Sequence, residues 1–322
     1  MHPPWRLKVG LALGGGAARG LAHIGVIRGL VREGIPIDVI TGTSMGAVVG
    51  GAFAATQDIA DLEAKVRKLL TSEEFQKTRL SFLRETKSSR GGLLYSVTNL
   101  VRRGIVYGVS TMRPSFLSAE QFARSLGRIL PDVEISQTPI RFAASAVDLE
   151  AAEEVVLCHG RLRDVAAASA AIPGVLPPRR LHGRLLIDGG WVDKIPVLPA
   201  FRLGADIVVA VDISADLEEV KTYVRGIDIV LRANTIKDVA MTALHRRLAD
   251  FVIEPAVRKI HWADFASADY CIEAGDKAAT DAAPAIRELL RQEHFRSIVR
   301  PPIGKRMAER YLASAEMRFS ME

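Results

Sequence analysis

A chain of 322 residues, 48% hydrophobic and 25% charged, is long enough to bury a substantial core and too apolar to be disordered or collagenous. Its net charge of +6 suits contact with anionic lipid. The basic residues, however, are dispersed and accompany no helix-turn-helix, zinc-finger or ribonucleoprotein signature, so nucleic acid is not an expected partner. The two cysteines, Cys158 and Cys271, are too few for a disulfide framework and read as buried free thiols of a reducing compartment.

The first residues, Met1-His2-Pro3-Pro4-Trp5-Arg6, lack the charged region and apolar segment of a signal peptide. A cytoplasmic protein is therefore the expectation, with any membrane contact peripheral and on the inner face. Residues 7–13 form a short apolar strand that runs into Gly14-Gly15-Gly16-Ala17-Ala18-Arg19-Gly20. A helix follows, with Leu21, Ile24, Ile27, Leu30 and Val31 on one face and Gly34 at its C-terminal cap. Residues 35–41 make a second strand, giving a βαβ unit with parallel strands and a right-handed crossover. Directly after it comes Thr41-Gly42-Thr43-Ser44-Met45-Gly46, which reads as strand, sharp turn and helix with a serine hydroxyl at the apex. The charge-free run 39–57 approaches membrane-span length, but its four glycines and many alanines point to a buried helix instead.

Residues 58–70 read as a helix with Leu62, Val66, Leu69 and Leu70 on one face. Residues 71–137 loosen into basic and polar stretches broken by apolar pieces, a helical insertion that serves as a lid, a membrane-facing surface or a solvated connector. Residues 139–147 and 154–158 are paired strands, 165–172 a small-residue helix, and 184–188 a strand that stops at Asp188-Gly189-Gly190. A short helix at 196–203, a strand at 207–213, a long helix at about 224–248, a strand at 251–254 and a helix at 269–292 complete the pattern.

Serine needs a base and donors for an oxyanion if it is to attack a carbonyl. Gly14, Gly15 and Gly16 offer backbone N–H groups, and Arg19 offers an anchor or a positive charge. A dinucleotide loop is a poor alternative, because Arg19 stands where the third glycine of G-x-G-x-x-G belongs. Asp188 at its glycine turn is the better-placed base. A triad with His245 or His261 stays open, although both histidines read as exposed surface residues, and His23 reads as a packed or hydrogen-bonded helical residue. No His, Cys or carboxylate spacing suggests a metal site, and no organic cofactor is expected.

In this order the glycine loop, Gly42-Thr43-Ser44-Met45-Gly46 and Asp188-Gly189-Gly190 resemble the patatin-like phospholipase family, in particular its compact bacterial members. Ala168-Ser169-Ala170-Ala171-Ile172-Pro173-Gly174 and the run from Leu203 to Asp212 are similar to the segments flanking the family's aspartate. The resemblance implies a three-layer α/β/α fold with a largely parallel sheet over residues 7–275, followed by a C-terminal helical extension at 276–322. It implies a serine acyl hydrolase with a Ser44–Asp188 dyad acting on a lipid or acyl ester. The oxyanion hole would come from Gly14, Gly15, Gly16 and Met45, supported by Arg19, Gly42, Gly46, Gly189 and Gly190. A non-catalytic binding protein on the same fold is the alternative from another class. Two departures stand out: a glycine loop one residue longer than the shortest family form, and Asp193-Lys194 where the family carries asparagine before the proline.

Overall fold

Alternation along the buried strands decides the layers. The computed structural model describes residues 7–76, 118–215, 226–297 and 319–321. Strands β1 (Val9–Leu13), β2 (Val39–Thr43) and β7 (Ile207–Val211) are buried throughout. Such strands must be covered on both faces. Leu11, Leu13, Ile40, Val209 and Val211 face one core, whereas Ala12, Val39, Val208 and Ala210 face a second. Helices α1 (Ala22–Arg32), α2 (Met45–Thr56), α3 (Ile59–Thr71), α5 (Ala119–Ile129), α6 (Leu162–Ser169) and α9 (Ala268–Ser297) pack on the first face. Helix α7 (Val197–Arg202) covers the second face. Short α4 (Glu73–Gln76) continues from α3, and α8 (Gly226–Arg246) follows β7 along the chain. The architecture is the expected three-layer α/β/α sandwich.

The sheet runs β5-β6-β3-β2-β1-β7-β8, where β3 is Arg141–Asp148, β5 Arg179–Leu181, β6 Arg184–Asp188 and β8 Phe251–Ile253. The pairs β1–β2, β1–β7, β2–β3 and β7–β8 are parallel, while β3–β6 and β5–β6 are antiparallel. Strand β4 (Glu153–Leu157) pairs antiparallel with β3 and parallel with β9 (Phe319–Met321).

The register of β3 positions the site. Strand β4 occupies one edge of β3 from Ala144 to Asp148. On the other edge β2 pairs up to Thr43↔Ser145, and β6 takes over at Ala146↔Asp188. Because β2 runs parallel to β3 and β6 antiparallel, their carboxyl ends meet head to head. Ser44 and Asp188 are thereby brought together by backbone pairing alone.

Several expectations need adjusting. The short strands β5 and β9 were not expected. Cys271 is buried, but Cys158 is partly exposed, contrary to the reading of both as buried. Helix α9 runs unbroken through position 275, so no element ends where the family-like region was expected to stop. Of the insertion at 71–137, the parts at 71–76 and 118–137 are described and are partly helical. Its apolar and basic pieces at 77–117, the first six residues, and the tail apart from 319–321 lie outside the described residues.

Candidate active site

Ser44 caps the N-terminus of α2 with φ 56° and ψ −120°, a left-handed conformation that costs a serine roughly 1–3 kcal/mol. The fold holds it there. Its N–H donates to Ser169 Oγ at 3.0 Å, and that hydroxyl donates to the Ser145 carbonyl at 2.7 Å, so α6 and β3 clamp the turn. Thr43 Oγ1 donates to the Asp193 carbonyl at 2.9 Å. Gly46 is required by close approach: a Cβ there would lie inside van der Waals contact of the Leu13 and Gly14 carbonyls. Gly42 packs against the first turn of α2 in the same way. Ser169, whose buried hydroxyl bridges the Ser44 turn and β3, belongs to a motif noted in the sequence but was not anticipated as a site residue. Replacing it with alanine leaves the Ser44 N–H and the Ser145 carbonyl unpaired. The expected cost is about 1–3 kcal/mol of stability, with a fall in kcat and little change in KM, measured by thermal denaturation and ester kinetics.

Asp188 ends β6 and is buried; its Oδ1 accepts the Gly190 N–H at 2.8 Å, and its own N–H donates to the Ala171 carbonyl at 3.0 Å. The Ser44 hydroxyl is near enough to its carboxylate to favour the charged form. Burial pushes the Asp188 pKa up to about 6, against the opposing pull of Ser44, the Gly190 amide and the Lys194 charge. That value suits a base working near neutral pH. Gly189 opens the turn after the aspartate, packed against Ser145 of β3.

The glycine loop follows β1. Two of its amides are engaged within the fold: Gly14 N–H donates to the Val211 carbonyl at 3.2 Å and Gly15 N–H to the Lys194 carbonyl at 2.9 Å. They fix the loop rather than point at a ligand, which narrows the expected donor set to Gly16 and Met45. Arg19 is buried and anchors the loop, its Nε donating to the Ile213 carbonyl at 2.9 Å and its NH1 to the Ile260 carbonyl at 3.1 Å. His23 is packed and hydrogen-bonded, as expected, with Nε2 2.7 Å from the Gly14 carbonyl. Burial lowers its pKa to about 4, so at neutral pH it is the uncharged donor that holds the loop.

The candidate triad histidine His245 is turned to a carboxylate other than Asp188. His245, expected on the surface, is only 5% exposed, and its Nδ1 lies 2.8 Å from Asp193 Oδ1. Burial alone would lower its pKa, but the Asp193 and Glu154 charges outweigh it and the net shift is upward. Glu154, buried and 3.2 Å from Ser145 Oγ, is pushed upward by burial and by Asp193. The carboxylate that replaces the family's asparagine therefore has a partner of its own. His261 Nδ1 accepts the Ala263 N–H.

Beside Ser44 a cleft opens between α2, α3, α4 and α5. Its walls are almost wholly apolar, with Val49, Leu69, Phe75, Phe122, Leu126 and Phe265 contributing, and Ala17 and Met45 sit next to the serine. The described ends of the insertion are therefore a cleft wall. Among the described residues no group of His, Cys, Asp or Glu is placed to hold a metal ion.

A serine in a strained turn, a buried aspartate and an apolar cleft on this α/β/α sheet define a patatin-type protein. The family described as patatin-like phospholipase matches residues 11–201, and the chain belongs to that family. Over 207 residues it is 39% identical to an uncharacterized NTE family protein of Mycobacterium tuberculosis, covering 64% of this chain and 49% of that one. It is 30% identical over 209 residues to the lysophospholipase NTE1 of Saccharomyces cerevisiae, covering 65% of this chain and 11% of the yeast protein. The chain thus spans about half, or a small part, of the curated relatives it matches. Among solved structures, human GIVD cytosolic phospholipase A2 shares the fold, with a TM-score of 0.50 and 12% identity over 90% of this chain and 61% of that one.

Proposed function

We propose that the chain is a serine acyl hydrolase that cleaves carboxylic esters of lipids, in the manner of a phospholipase A, lysophospholipase or esterase, through Ser44 and Asp188. The observation that carries this reading is the strand register that sets Ser44 against Asp188, a buried carboxylate whose pKa burial raises to about 6. Ser44 Oγ attacks the ester carbonyl as Asp188 takes its proton. The oxyanion is met by the Met45 and Gly16 amides, at the positive end of α2. Collapse of the tetrahedral adduct expels the alcohol, which takes the proton from Asp188. Water, deprotonated by Asp188, then attacks the acyl-serine, and Ser44 Oγ takes that proton back from Asp188 as the fatty acid is released. The apolar cleft beside Ser44 is suited to the acyl chain. The lysophospholipase named among the yeast relatives supports the same substrate class.

The test is hydrolysis of p-nitrophenyl esters of increasing chain length. Rates are expected to rise from acetate toward medium and long chains. In Ser44→Ala they should fall by roughly 10⁴-fold or more. Leu126→Trp, which narrows the cleft, should shift the preference toward shorter chains. Absence of hydrolysis by the wild type on every ester and lipid tried would favour a binding protein instead.

A further inference from the structure

Helix α8 has its faces reversed. Toward the protein it presents polar groups at helical spacing: Asp238, whose charge interacts with Lys194, and buried Thr242 and His245, the latter beside Asp193. Toward solvent it presents apolar ones. Ile229, Val230, Ile236 and Leu244 are each more than half exposed, and Ala233, Ala240 and Ala243 fill the same side. A surface helix of a globular protein ordinarily shows the opposite arrangement, and a contiguous exposed apolar stripe marks an interaction surface. Trp191, three residues beyond Asp188 and 40% exposed, stands beside the stripe with Lys237 Nζ 5.8 Å from its ring centroid.

From this juxtaposition we infer that the outer face of α8, with Trp191, docks the protein on an anionic lipid surface. The described charges on that side are cationic: Lys237 and Arg247 are exposed and Arg232 flanks them, whereas Asp238 is turned toward Lys194 and the Lys237 ammonium. Apolar side chains flanked by Lys and Arg, with an indole at the boundary, are the composition of a helix lying in a membrane interface. A second copy of the same face would set these cations against like charges, which disfavours self-association. The helix lies on the membrane rather than across it, since no described helix is long and apolar enough to span one. The same helix holds the loop 189–195 that follows the candidate base, through His245 against Asp193. This extends the lipid acyl hydrolase reading from a site to a surface, but the binding itself is measured without turnover.

The experiment is co-sedimentation of the full chain with vesicles of phosphatidylcholine alone and of phosphatidylcholine with added phosphatidylglycerol. Ser44→Ala protein should bind as the wild type does, which separates docking from catalysis. Binding is expected to the anionic vesicles, weakening as salt is raised. It should fall at least about tenfold in Ile236→Glu and in Ile229→Glu, and the preference for anionic lipid should be lost in Lys237→Glu. Hydrolysis of a soluble short-chain ester by Ile236→Glu should match the wild type, which shows that the variant is folded. No binding by the wild type, or binding unchanged by Ile236→Glu, overturns the inference. A wild-type dimer that Ile236→Glu dissociates would assign the face to a second copy and overturn it equally.

Discussion

Asp188→Asn is expected to lower kcat on a p-nitrophenyl ester by about 10³- to 10⁴-fold and, in the same protein, to raise the melting temperature. Asparagine keeps the acceptor for the Gly190 amide but cannot take the Ser44 proton. The gain in stability follows from linkage. The folded pKa of Asp188 is about 6, against an ordinary value of 3.8, because burial opposes its charge. Between those values the folded chain holds a proton that the unfolded chain has lost. Stability from this group is therefore fully present below 3.8 and lost as pH rises to about 6. At neutral pH the buried carboxylate costs roughly 3 kcal/mol, and the neutral amide relieves part of that. The wild-type rate should also fall about tenfold per pH unit below about 6, as the base is protonated. An Asp188→Asn enzyme with near-normal kcat would sink the dyad, and activity lost in a folded His245 variant instead would restore the triad.

The residues of this candidate site were legible because each announces itself locally. A turn tight enough to expose Ser44 needs glycine at 42 and 46, and a strand that stops at Asp188 needs glycine after it. What was not legible depends on register. Nothing in residues 184–188 says that their strand runs antiparallel, yet only that direction makes Asp188 meet Ser44 at the Ser145–Ala146 step of β3. His245 was misjudged for a related reason. Its neighbours Arg246 and Arg247 suggested solvent, but Arg246 pairs with Asp212 at 2.9 Å and His245 turns inward to Asp193. The glycine loop was read as three donors, and only tertiary contacts with β7 and the 189–195 loop show that two are already engaged. The cleft draws its walls from segments far apart in sequence, so no local pattern could have outlined it. The unbroken apolar runs of β1 and β7, by contrast, mark strands covered on both faces, and the resemblance supplies the three-layer order.

Gly275→Ala is expected to be among the most destabilising single-methyl changes outside the site, by roughly 3 kcal/mol or more. Helices α1 and α9 cross with their backbones in contact. A Cβ on Gly275 would enter the Ala22 carbonyl, and one on Gly25 would enter the Ile272 carbonyl. Neither obstacle is the end of a flexible side chain, so only separation of the helices can relieve the clash. That separation disturbs Arg28 and Arg32, which bind Asp276 from α1 at 3.1 and 2.9 Å. It also reaches the chemistry, because the residue after Ala22 is His23, whose Nε2 holds the Gly14 carbonyl. A displacement of about 1 Å in α1 loosens that hydrogen bond and the loop it fixes, and misplacement on that scale can cost about 10²-fold in rate. Gly34→Ala is the control: with φ +70° and open space around it, it meets only backbone strain of about 1 kcal/mol. The comparison is made by denaturant unfolding and by kcat at a temperature where both variants are folded. Gly275→Ala should lose far more stability than Gly34→Ala and should also lose rate. An unchanged unfolding midpoint in Gly275→Ala would show that the two helices are not packed backbone to backbone.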